Sequence, residues 1–488
     1  MLSPSTIWGA IALFAGLGLW VTLRATRENR GTPEDYYLGG RSIGGVIAGL
    51  SYAATTYSAF MLVVLTGLTY RGGIGALGFE LIYFAGLGLL VIFAPRFWLA
   101  ARRWGFISPA EMLGARYGTP WVARAAALVA LVFLMPYCTT QMAGIGLLLS
   151  GVTGGEITLF QAVATGAVLA ALWTLLAGLR SVAWTDAVQA VVMMGSAILA
   201  IVFAVQAIGG WGVFAAQTLA LHGDRLSVPG PGLWSFKTFV ALSIPWFFFA
   251  ISNPQVSQRL FVMRDVRAMK RMIFWVLGFG LVFTVIAVVW GFAALHLAPG
   301  LENASTATPA LLTSGAIPAP VAVLLILGIL AAAVSTLDSI ALTLGAMVAR
   351  DLMTGSPARA QIMAGRIVVI LVILFASGFA LQKAQIVDQL AALSAAGLMV
   401  TVPATIGAFF WRRATAAGAL VSILGGAALA VWMAMVQGVS VFNPVLALSV
   451  GGTAVALYVM ISLITRPSAK AVDFQRALRD DLDAMNAW

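Results

Sequence analysis

The chain has 488 residues, of which 61% are hydrophobic and only 9% are charged, and its mean hydropathy is +0.99. This composition lies far outside the range of soluble globular proteins, so it indicates a protein with many membrane spans and excludes ordinary water-soluble enzymes. The net charge of +11 would suit nucleic acid or an anionic surface only if the basic residues formed one patch.

Apolar segments long enough to cross a bilayer follow one another along the whole chain. A helix needs about 20 apolar residues to span the hydrocarbon core. No cation precedes the first segment and Arg24 follows it, so we interpret it as a retained helix and not as a secretory signal. The thirteen predicted spans are 5–23, 42–68, 73–94, 122–149, 157–177, 183–208, 236–256, 273–296, 318–348, 366–382, 386–411, 415–436 and 443–465.

The basic residues alternate between the two sides of these spans. If the N-terminus lies outside, 24 of the 28 lysines and arginines fall in cytoplasmic loops, and the others are Arg71, Arg225, Lys237 and Lys383. The positive-inside rule therefore accounts for the net charge and predicts an outer N-terminus and a cytoplasmic C-terminus. We expect a multi-pass protein of the cytoplasmic (inner) membrane, with the lipid bilayer and not nucleic acid as its surroundings.

The second and the seventh predicted spans carry features that interrupt helices. Span 42–68 has a central run of polar residues at 51–58. Span 236–256 contains Pro245 and ends at Pro254, and each proline removes a backbone donor. Free backbone groups are tolerated in a bilayer only where protein or a wet cavity satisfies them. Interrupted spans five helices apart predict two inverted five-helix repeats with a binding site between them, and prolines that merely kink packing helices are the alternative.

Acidic side chains within spans are costly, so each is a candidate site. Ser335, Asp338 and Ser339 share one helical face, and their oxygens suit a hard cation such as sodium. Hydrogen bonding that only joins helices is the alternative for the hydroxyls. Asp186 lies near the cytoplasmic end of its span, where solvation is the alternative. We assign Glu80 a structural role, either paired with Arg71 or facing a cavity.

The sequence offers little support for metal binding or catalysis. His222 and His296 show no ligand spacing, so we expect no metal site other than one for sodium. A nucleophile with a nearby base and a phosphate-binding loop are both missing, so we expect neither an enzyme nor an organic cofactor. We interpret the single cysteine, Cys138, as a packing residue.

Four stretches together resemble the sodium:solute symporter family, whose members take up sugars, proline, pantothenate, sialic acid or monocarboxylates. They are the runs at 36–42 (YYLGGRS), 178–189 (GLRSVAWTDAVQ), 253–259 (NPQVSQR) and 335–339 (STLDS). Their order and spacing agree with that family over almost the whole chain.

The resemblance implies the leucine-transporter-type fold, with its core at the second to eleventh spans. Two interrupted helices would then face one another near the bilayer midplane. The implied segments are a peripheral first helix at 1–30, a first repeat at 36–208, an inverted second repeat at 236–413, two peripheral helices at 414–465 and a cytoplasmic tail at 466–488, part of which would form a short surface helix.

The resemblance also implies the positions of the sites. The main sodium site would use backbone carbonyls of Ala54, Tyr57 and Ala332 and the hydroxyls of Ser335 and Thr336. A second cation site, present in some members, would use Asp186, Ser335, Asp338 and Ser339. The substrate cavity would be lined by Tyr52, Thr55, Thr56, Ser58, Tyr137, Gln141, Trp246, Phe247 and Phe248.

The sequence departs from some branches of the family. Thr56 stands where proline transporters carry aspartate, which argues against proline, whereas Pro136, Tyr137, Gln141 and Gly144 resemble the monocarboxylate branch. We therefore expect sodium-driven uptake of a small organic solute, with a monocarboxylate favoured.

Two alternatives remain. One is proton-coupled uptake of an amino acid or organic acid, with Asp338 or Asp186 as the carrier. The other is a transporter-like solute sensor that acts with a partner protein, although no output domain follows Thr465.

Overall fold

The computed structural model describes residues 2–26, 31–227, 229–230, 232–353, 355–383 and 386–485. These residues are almost entirely helical, and one isolated bridge joins Ile43 to Met263. The chain begins with α1 (Pro4–Thr26), α2 (Pro33–Leu38), α3 (Gly45–Thr56), α4 (Thr66–Gly72), α5 (Gly75–Leu87), α6 (Leu89–Trp104), α7 (Pro109–Tyr117), α8 (Pro120–Val152), α9 (Leu159–Ile208) and α10 (Trp211–His222).

The second part of the chain also contains both long and short helices. It consists of α11 (Phe236–Phe247), α12 (Phe249–Ser252), α13 (Pro254–Ser257), α14 (Val266–Leu297), α15 (Ala307–Thr313), α16 (Ala319–Met347), α17 (Ala358–Lys383), α18 (Val387–Leu398), α19 (Val402–Phe410), α20 (Ala416–Val431), α21 (Pro444–Ile464) and α22 (Ala469–Ala484).

The predicted all-helical, polytopic architecture is confirmed. Within the described residues, eleven helices are long and apolar enough to cross a membrane, and the bent pair Gly45–Thr56 and Phe60–Gly72 makes a twelfth span. The seventh predicted span, 236–256, is a short apolar helix, α11, followed by two single-turn helices. The count of thirteen spans and the side on which each terminus lies stay predictions.

Both spans that the sequence marks as irregular are interrupted. The first break follows α3, where Tyr57 leaves helical geometry with ψ 81°, and a π-helical stretch at Phe60–Leu65 then leads into α4 with a bend of 46°. The second break has two parts, at Phe248 after α11 and at Asn253, whose ψ is 111°. Backbone groups that a continuous helix would use internally are therefore free for other partners at both breaks.

A glycine divides α9 where the sequence predicts two separate spans. Gly178 has φ 64° and ψ −155°, a conformation open essentially to glycine alone. The carbonyl oxygen of Tyr36 would lie only 2.2 Å from a Cβ at this position. The glycine thus lets α2 pack against the kink, and it sets the direction of the helical segment that carries Asp186.

Helix α16 forms the centre of the bundle. It packs against α8, α9, α17 and α3, and every residue from Gly328 to Met347 is buried. Peripheral helices instead expose large apolar side chains, such as Leu374 of α17, as lipid-facing surfaces do.

The tail forms the surface helix that the sequence predicts. Phe474 of α22 stacks on Trp104 at the end of α6, with ring centroids 4.3 Å apart, and Asp481 pairs with Arg103 at 2.7 Å. This contact lies at the cation-rich end of the bundle, the end that also carries Arg102, Arg264 and Arg350.

Candidate functional site

The first break meets the middle of α16 at the residues predicted to bind sodium. Ser335 Oγ donates to the carbonyl oxygens of Ala54, at 3.0 Å, and of Ala332, at 3.1 Å. Thr336 Oγ1 lies 3.4 Å from the same Ala54 oxygen and 3.2 Å from that of Thr55. Tyr57 is the capping residue that ends α3 at the break, so its carbonyl is not part of a regular helix.

This arrangement fits a small hard cation. Two hydroxyls and two backbone carbonyls of the predicted set are within hydrogen-bonding distance of one another, and all of the residues involved are buried. Oxygen atoms at this density, without a nearby water phase, are the ligands that alkali and alkaline-earth cations take in proteins. The unwound end of α3 supplies a carbonyl that a continuous helix would have used in its own ladder.

The predicted second cation site contains a buried ion pair. Asp186 is fully buried, and its Oδ2 accepts hydrogen bonds from Arg259 Nη2 at 2.8 Å and from Ser51 Oγ at 2.7 Å. Arg259 Nη2 also donates to Ser339 Oγ at 2.5 Å. Solvation of Asp186 near the end of its span, the alternative drawn from the sequence, is therefore wrong.

The two remaining residues of this predicted site, Ser335 and Asp338, take no part in the Asp186–Arg259 ion pair. Ser335 directs its hydroxyl to the Ala54 carbonyl, at the predicted main sodium site. Asp338 is buried beside Thr174, and neither of its carboxylate oxygens has a hydrogen-bond partner among the described residues. Asp338 thus lies near the Asp186–Arg259 pair as a second, unpaired acid.

Hydrogen bonds link the two candidate cation sites. Ser339 Oγ, which contacts Arg259, donates to the backbone carbonyl of Ser335 at 2.6 Å. It also lies 2.9 Å from Thr55 Oγ1, and the Thr55 carbonyl accepts from Thr336. Thr55, predicted to line the substrate cavity, therefore connects the sodium site with the Asp186 network.

Most of the other predicted cavity residues are buried around the first break. Ser58 Oγ lies 3.3 Å from the hydroxyl of Tyr137, and the Thr56 carbonyl accepts from Tyr83 at 3.3 Å. Several polar atoms there have no hydrogen-bond partner in the part of the chain that the structure describes, which is typical of a surface that awaits a ligand. They are the Tyr52 hydroxyl, Thr56 Oγ1 and Gln141 Oε1.

Aromatic side chains close this region on one side. Trp246 and Phe249 stack in parallel with ring centroids 5.5 Å apart and an interplanar angle of 2°. The ring of Trp246 also contacts those of Phe60, Phe79, Tyr83 and Tyr137 at 5.0–6.3 Å. We call these six residues the aromatic cluster: Phe60, Phe79, Tyr83, Tyr137, Trp246 and Phe249.

Phe247 and Phe248, both predicted to line the cavity, are half-buried and pair with each other at 5.1 Å. The ring that faces Trp246 from beyond the break is instead Phe249. Sequence reasoning did not select Phe249, Phe60 or Tyr83. Tyr83 follows Glu80 by one helical turn, so the period of α5 was an available signal, whereas nothing in the sequence distinguished Phe249 from its two neighbours.

Glu80 is a buried acid without a partner. It is fully buried, and neither carboxylate oxygen has a hydrogen-bond partner within the described residues. The predicted pairing with Arg71 is wrong, because Arg71 lies 3.5 Å from Asp388 instead. Glu80 lies one helical turn before Tyr83 on α5, and its carboxyl interacts electrostatically with the hydroxyls of Tyr57, Tyr83 and Tyr137, which places it in the same region as the aromatic cluster.

Side-chain contacts join neighbouring elements at both ends of this region. At the cation-rich end, Ser108 donates to Asp351 at 2.6 Å and Thr343 to Gln258 at 2.6 Å. At the opposite end, Trp234 is fully buried and stacks on Phe79 at 5.8 Å. We call the arrangement in which these contacts are formed the occluded arrangement.

Comparison with known proteins gives this geometry a family. The profile of the sodium:solute symporter family matches residues 36–426. The chain is 26% identical over 413 residues to the high-affinity proline transporter PutP of Bacillus subtilis (strain 168), which is 82% of this chain and 86% of that protein.

Solved structures share the fold at low sequence identity. A Na+-coupled sialic acid symporter in a substrate-bound, outward-open state has a TM-score of 0.76 at 20% identity, with 96% of this chain and 98% of that chain covered. MhsT in complex with L-phenylalanine has a TM-score of 0.52 at 16% identity, with 86% and 97% covered. These likenesses show the leucine-transporter-type fold, and the matched proteins are membrane transporters and not enzymes. The chain belongs to the sodium:solute symporter family.

Proposed function

We propose that this protein carries sodium and a small amino acid, L-proline or a close analogue, together into the cell across the cytoplasmic membrane. The observation that carries the proposal is the meeting of Ser335 and Thr336 with the Ala54 carbonyl at the break after α3. Sodium bound there joins the interrupted helix to α16, so its binding favours one arrangement of the bundle over another. Such differential binding is what coupling requires.

The chemistry around Glu80 supports a solute with a positive group. A carboxyl group in the same region as the aromatic cluster is suited to an ammonium or iminium ion, because the acid can neutralise the charge and the faces of aromatic rings attract a cation. Burial of Glu80 without a partner is otherwise costly.

A lone monocarboxylate fits the same surroundings poorly. It offers no positive group to the buried acid Glu80, and the comparisons give the monocarboxylate expectation no support. A relative that matches 82% of this chain is a proline transporter. Thr56 stands where proline transporters of the family carry aspartate, and Glu80 of the neighbouring helix supplies a buried acid near the same break.

The solute's carboxylate would find donors at the break itself. The hydroxyls of Tyr52 and Thr56 are buried without partners among the described residues. The π-helical stretch that starts at Phe60 also presents the positive end of a helical segment there. A zwitterion would thus lie between Glu80 and the break, with its apolar part against the aromatic cluster.

Transport would require the contacts at one end of this region to break while those at the other end stay formed. Sodium and solute would bind while the end at Trp234 is open. Release into the cell would require the Ser108–Asp351 and Thr343–Gln258 contacts at the cation-rich end to separate. This direction agrees with the positive-inside orientation predicted from the sequence.

Uptake by purified protein in proteoliposomes tests the proposal. Radiolabelled L-proline should accumulate only with an inward sodium gradient, and replacement of external sodium by potassium should abolish the accumulation. Uptake that follows a proton gradient without sodium would overturn sodium coupling. Competition by lactate but not by amino acids would overturn the solute class, and saturable sodium-dependent binding without flux would favour a sensor.

A further inference from the structure

The guanidinium of Arg259 lies where the sequence predicts a second bound cation. It contacts Asp186 and Ser339, two of the four residues of that site. Its Nε donates to Ser51 Oγ at 3.2 Å, and its Nη1 donates to the carbonyl oxygen of Gln255 at 3.0 Å. The side chain is only 4% exposed, so these contacts hold the guanidinium as a site holds a ligand.

We propose that Arg259 is a tethered cation which fills the second site in the occluded arrangement, so that the chain binds sodium at the main site alone. The inference deepens the proposed function and rests on it, because it presupposes sodium at Ser335 and Thr336. It specifies what limits the number of coupling ions and which side chain sets that limit.

The charge of Asp186 and the small number of free ligand groups at the second site both support this assignment. The buried carboxylate of Asp186 needs a positive partner, and a guanidinium supplies one unit of charge just as a sodium ion does. Ser339 already accepts a hydrogen bond from Arg259, and Ser335 directs its hydroxyl at Ala54. Two of the four predicted ligand groups are therefore committed, and a sodium ion at Asp186 would have to displace Arg259 to gain Ser339.

The position of Arg259 along the chain makes its occupancy depend on conformation. Arg259 lies in the 3-10 turn Gln258–Phe261, directly after the breaks at Phe248 and Asn253. Asp186 and Ser339 lie within the long helices α9 and α16. The turn is thus the part of the network that can withdraw while the carboxylate stays in place.

The same turn closes the cation-rich end. Gln258, next to Arg259, accepts from Thr343 at 2.6 Å and donates to the carbonyl oxygen of Ile107 at 2.9 Å. Opening of that end requires these contacts to break, and the movement would pull the guanidinium away from Asp186. Opening of the cation-rich end would thus remove a positive charge from beside Ser339. Ser339 in turn contacts Ser335 of the main sodium site, so the change would reach that site.

Equilibrium binding of radioactive sodium to the purified full chain, without any solute, tests the proposal. We expect about one saturable ion per wild-type chain, and about one in Arg259→Lys, which keeps a tethered cation. Arg259→Gln frees Asp186 and Ser339, so it should bind about two. The double variant Arg259→Gln/Asp186→Asn removes the acid as well and should return to about one.

The outcomes separate the inference from the function on which it rests. Two ions in the wild type or in Arg259→Lys would overturn the tethered-cation role, and this holds even where Arg259→Gln does not fold. A folded, monodisperse Arg259→Gln that still binds a single ion would overturn it too. By contrast, a wild type without saturable sodium binding would overturn the sodium-coupled function itself, and a Ser335→Ala variant with unchanged binding would place the main sodium site elsewhere.

Discussion

Ser335 donates a hydrogen bond from its hydroxyl to the carbonyl oxygen of Ala54 across 3.0 Å, and so joins the central helix α16 to the last turn of an interrupted one. Ala54 belongs to α3, two residues before that helix ends at Thr56. The strength of this hydrogen bond therefore depends on the backbone geometry of the break. The affinity of an ion bound there would depend on the same geometry, and coupling requires such a dependence.

Loss of the Ser335 hydroxyl should weaken sodium binding without unfolding the protein. Hydrogen bonds and ligand contacts to charged groups contribute about 1.5–3 kcal/mol, so Ser335→Ala should reduce the apparent sodium affinity about tenfold or more. Thr336→Ala should act in the same direction. The sodium concentration that gives half-maximal L-proline uptake measures the effect.

Ser422→Ala is a matched control for these variants. The Ser422 hydroxyl is buried and donates to the Ala454 carbonyl at 2.7 Å, between two peripheral helices. Its loss should leave sodium affinity as in the wild type. Equal sodium affinities in Ser335→Ala, Thr336→Ala and Ser422→Ala would place the main sodium site elsewhere.

Glu80→Gln should separate solute binding from stability. The substitution removes a buried acid that has no partner in the described structure, so the thermal midpoint in detergent should hold or rise. The affinity for L-proline should fall about tenfold to a hundredfold, as expected for a lost contact of about 1.5–3 kcal/mol with a charged group. Sodium binding measured without solute should persist. Unchanged proline affinity would make Glu80 a packing residue.

Asp338→Asn tests the unpaired acid near Arg259. Asp338 lies beside Thr174, and neither of its oxygens has a partner among the residues described. We expect altered ion stoichiometry or loss of coupling, seen as a changed charge-to-proline ratio in electrogenic uptake. If the variant carried wild-type currents at each external pH, Asp338 would have no role in either sodium or proton movement.

Gly178→Ala should destabilise the protein through its backbone. The residue adopts φ 64°, and a Cβ would lie 2.2 Å from the carbonyl oxygen of Tyr36. Strain of this kind costs about 1–3 kcal/mol, so the thermal midpoint should fall. Gly195→Ala in the same helix is the control, because a Cβ there meets nothing within 4 Å. It should be neutral or stabilise by up to about 1 kcal/mol. Similar midpoints for the two variants would contradict the strain argument.

The docking of α22 should depend on its aromatic contact more than on its ion pair. Phe474 is buried on Trp104, and removal of a buried phenylalanine forfeits about 1.5–3 kcal/mol. Arg103 is 45% exposed, so its pair with Asp481 contributes at most about 1 kcal/mol. Hydrogen exchange of α22 should therefore accelerate far more in Phe474→Ala than in Arg103→Gln. The reverse order would show that charge holds the tail.

Periodicity and composition predict most of this architecture because membrane spans are long and uniformly apolar. The sequence also locates both interruptions, since Pro254 and the polar run at 51–58 are incompatible with an ordinary lipid-facing helix. Its limit is the seventh span, where the breaks at Phe248 and Asn253 leave helices too short to count as a span.

The candidate site is less accessible to sequence reasoning. Ser335 and Asp338 attract attention because polar groups are rare inside spans. The partner of Asp186 could not be found in this way, since Arg259 lies 73 positions further along the chain and no local pattern joins them. Phe249 was missed for a similar reason, because the break at Phe248 changes which of three consecutive phenylalanines faces the cluster.

The stack of Trp246 on Phe249 spans the break at Phe248, with one ring from each side. Because the two rings lie parallel across the break, their contact stabilises the angle between α11 and α12. A solute that wedges between them, or that presses them closer, changes the direction of the chain that leads to Arg259. Binding of the solute would then rotate the backbone that follows the break, and the fluorescence of Trp246 would change with that rotation.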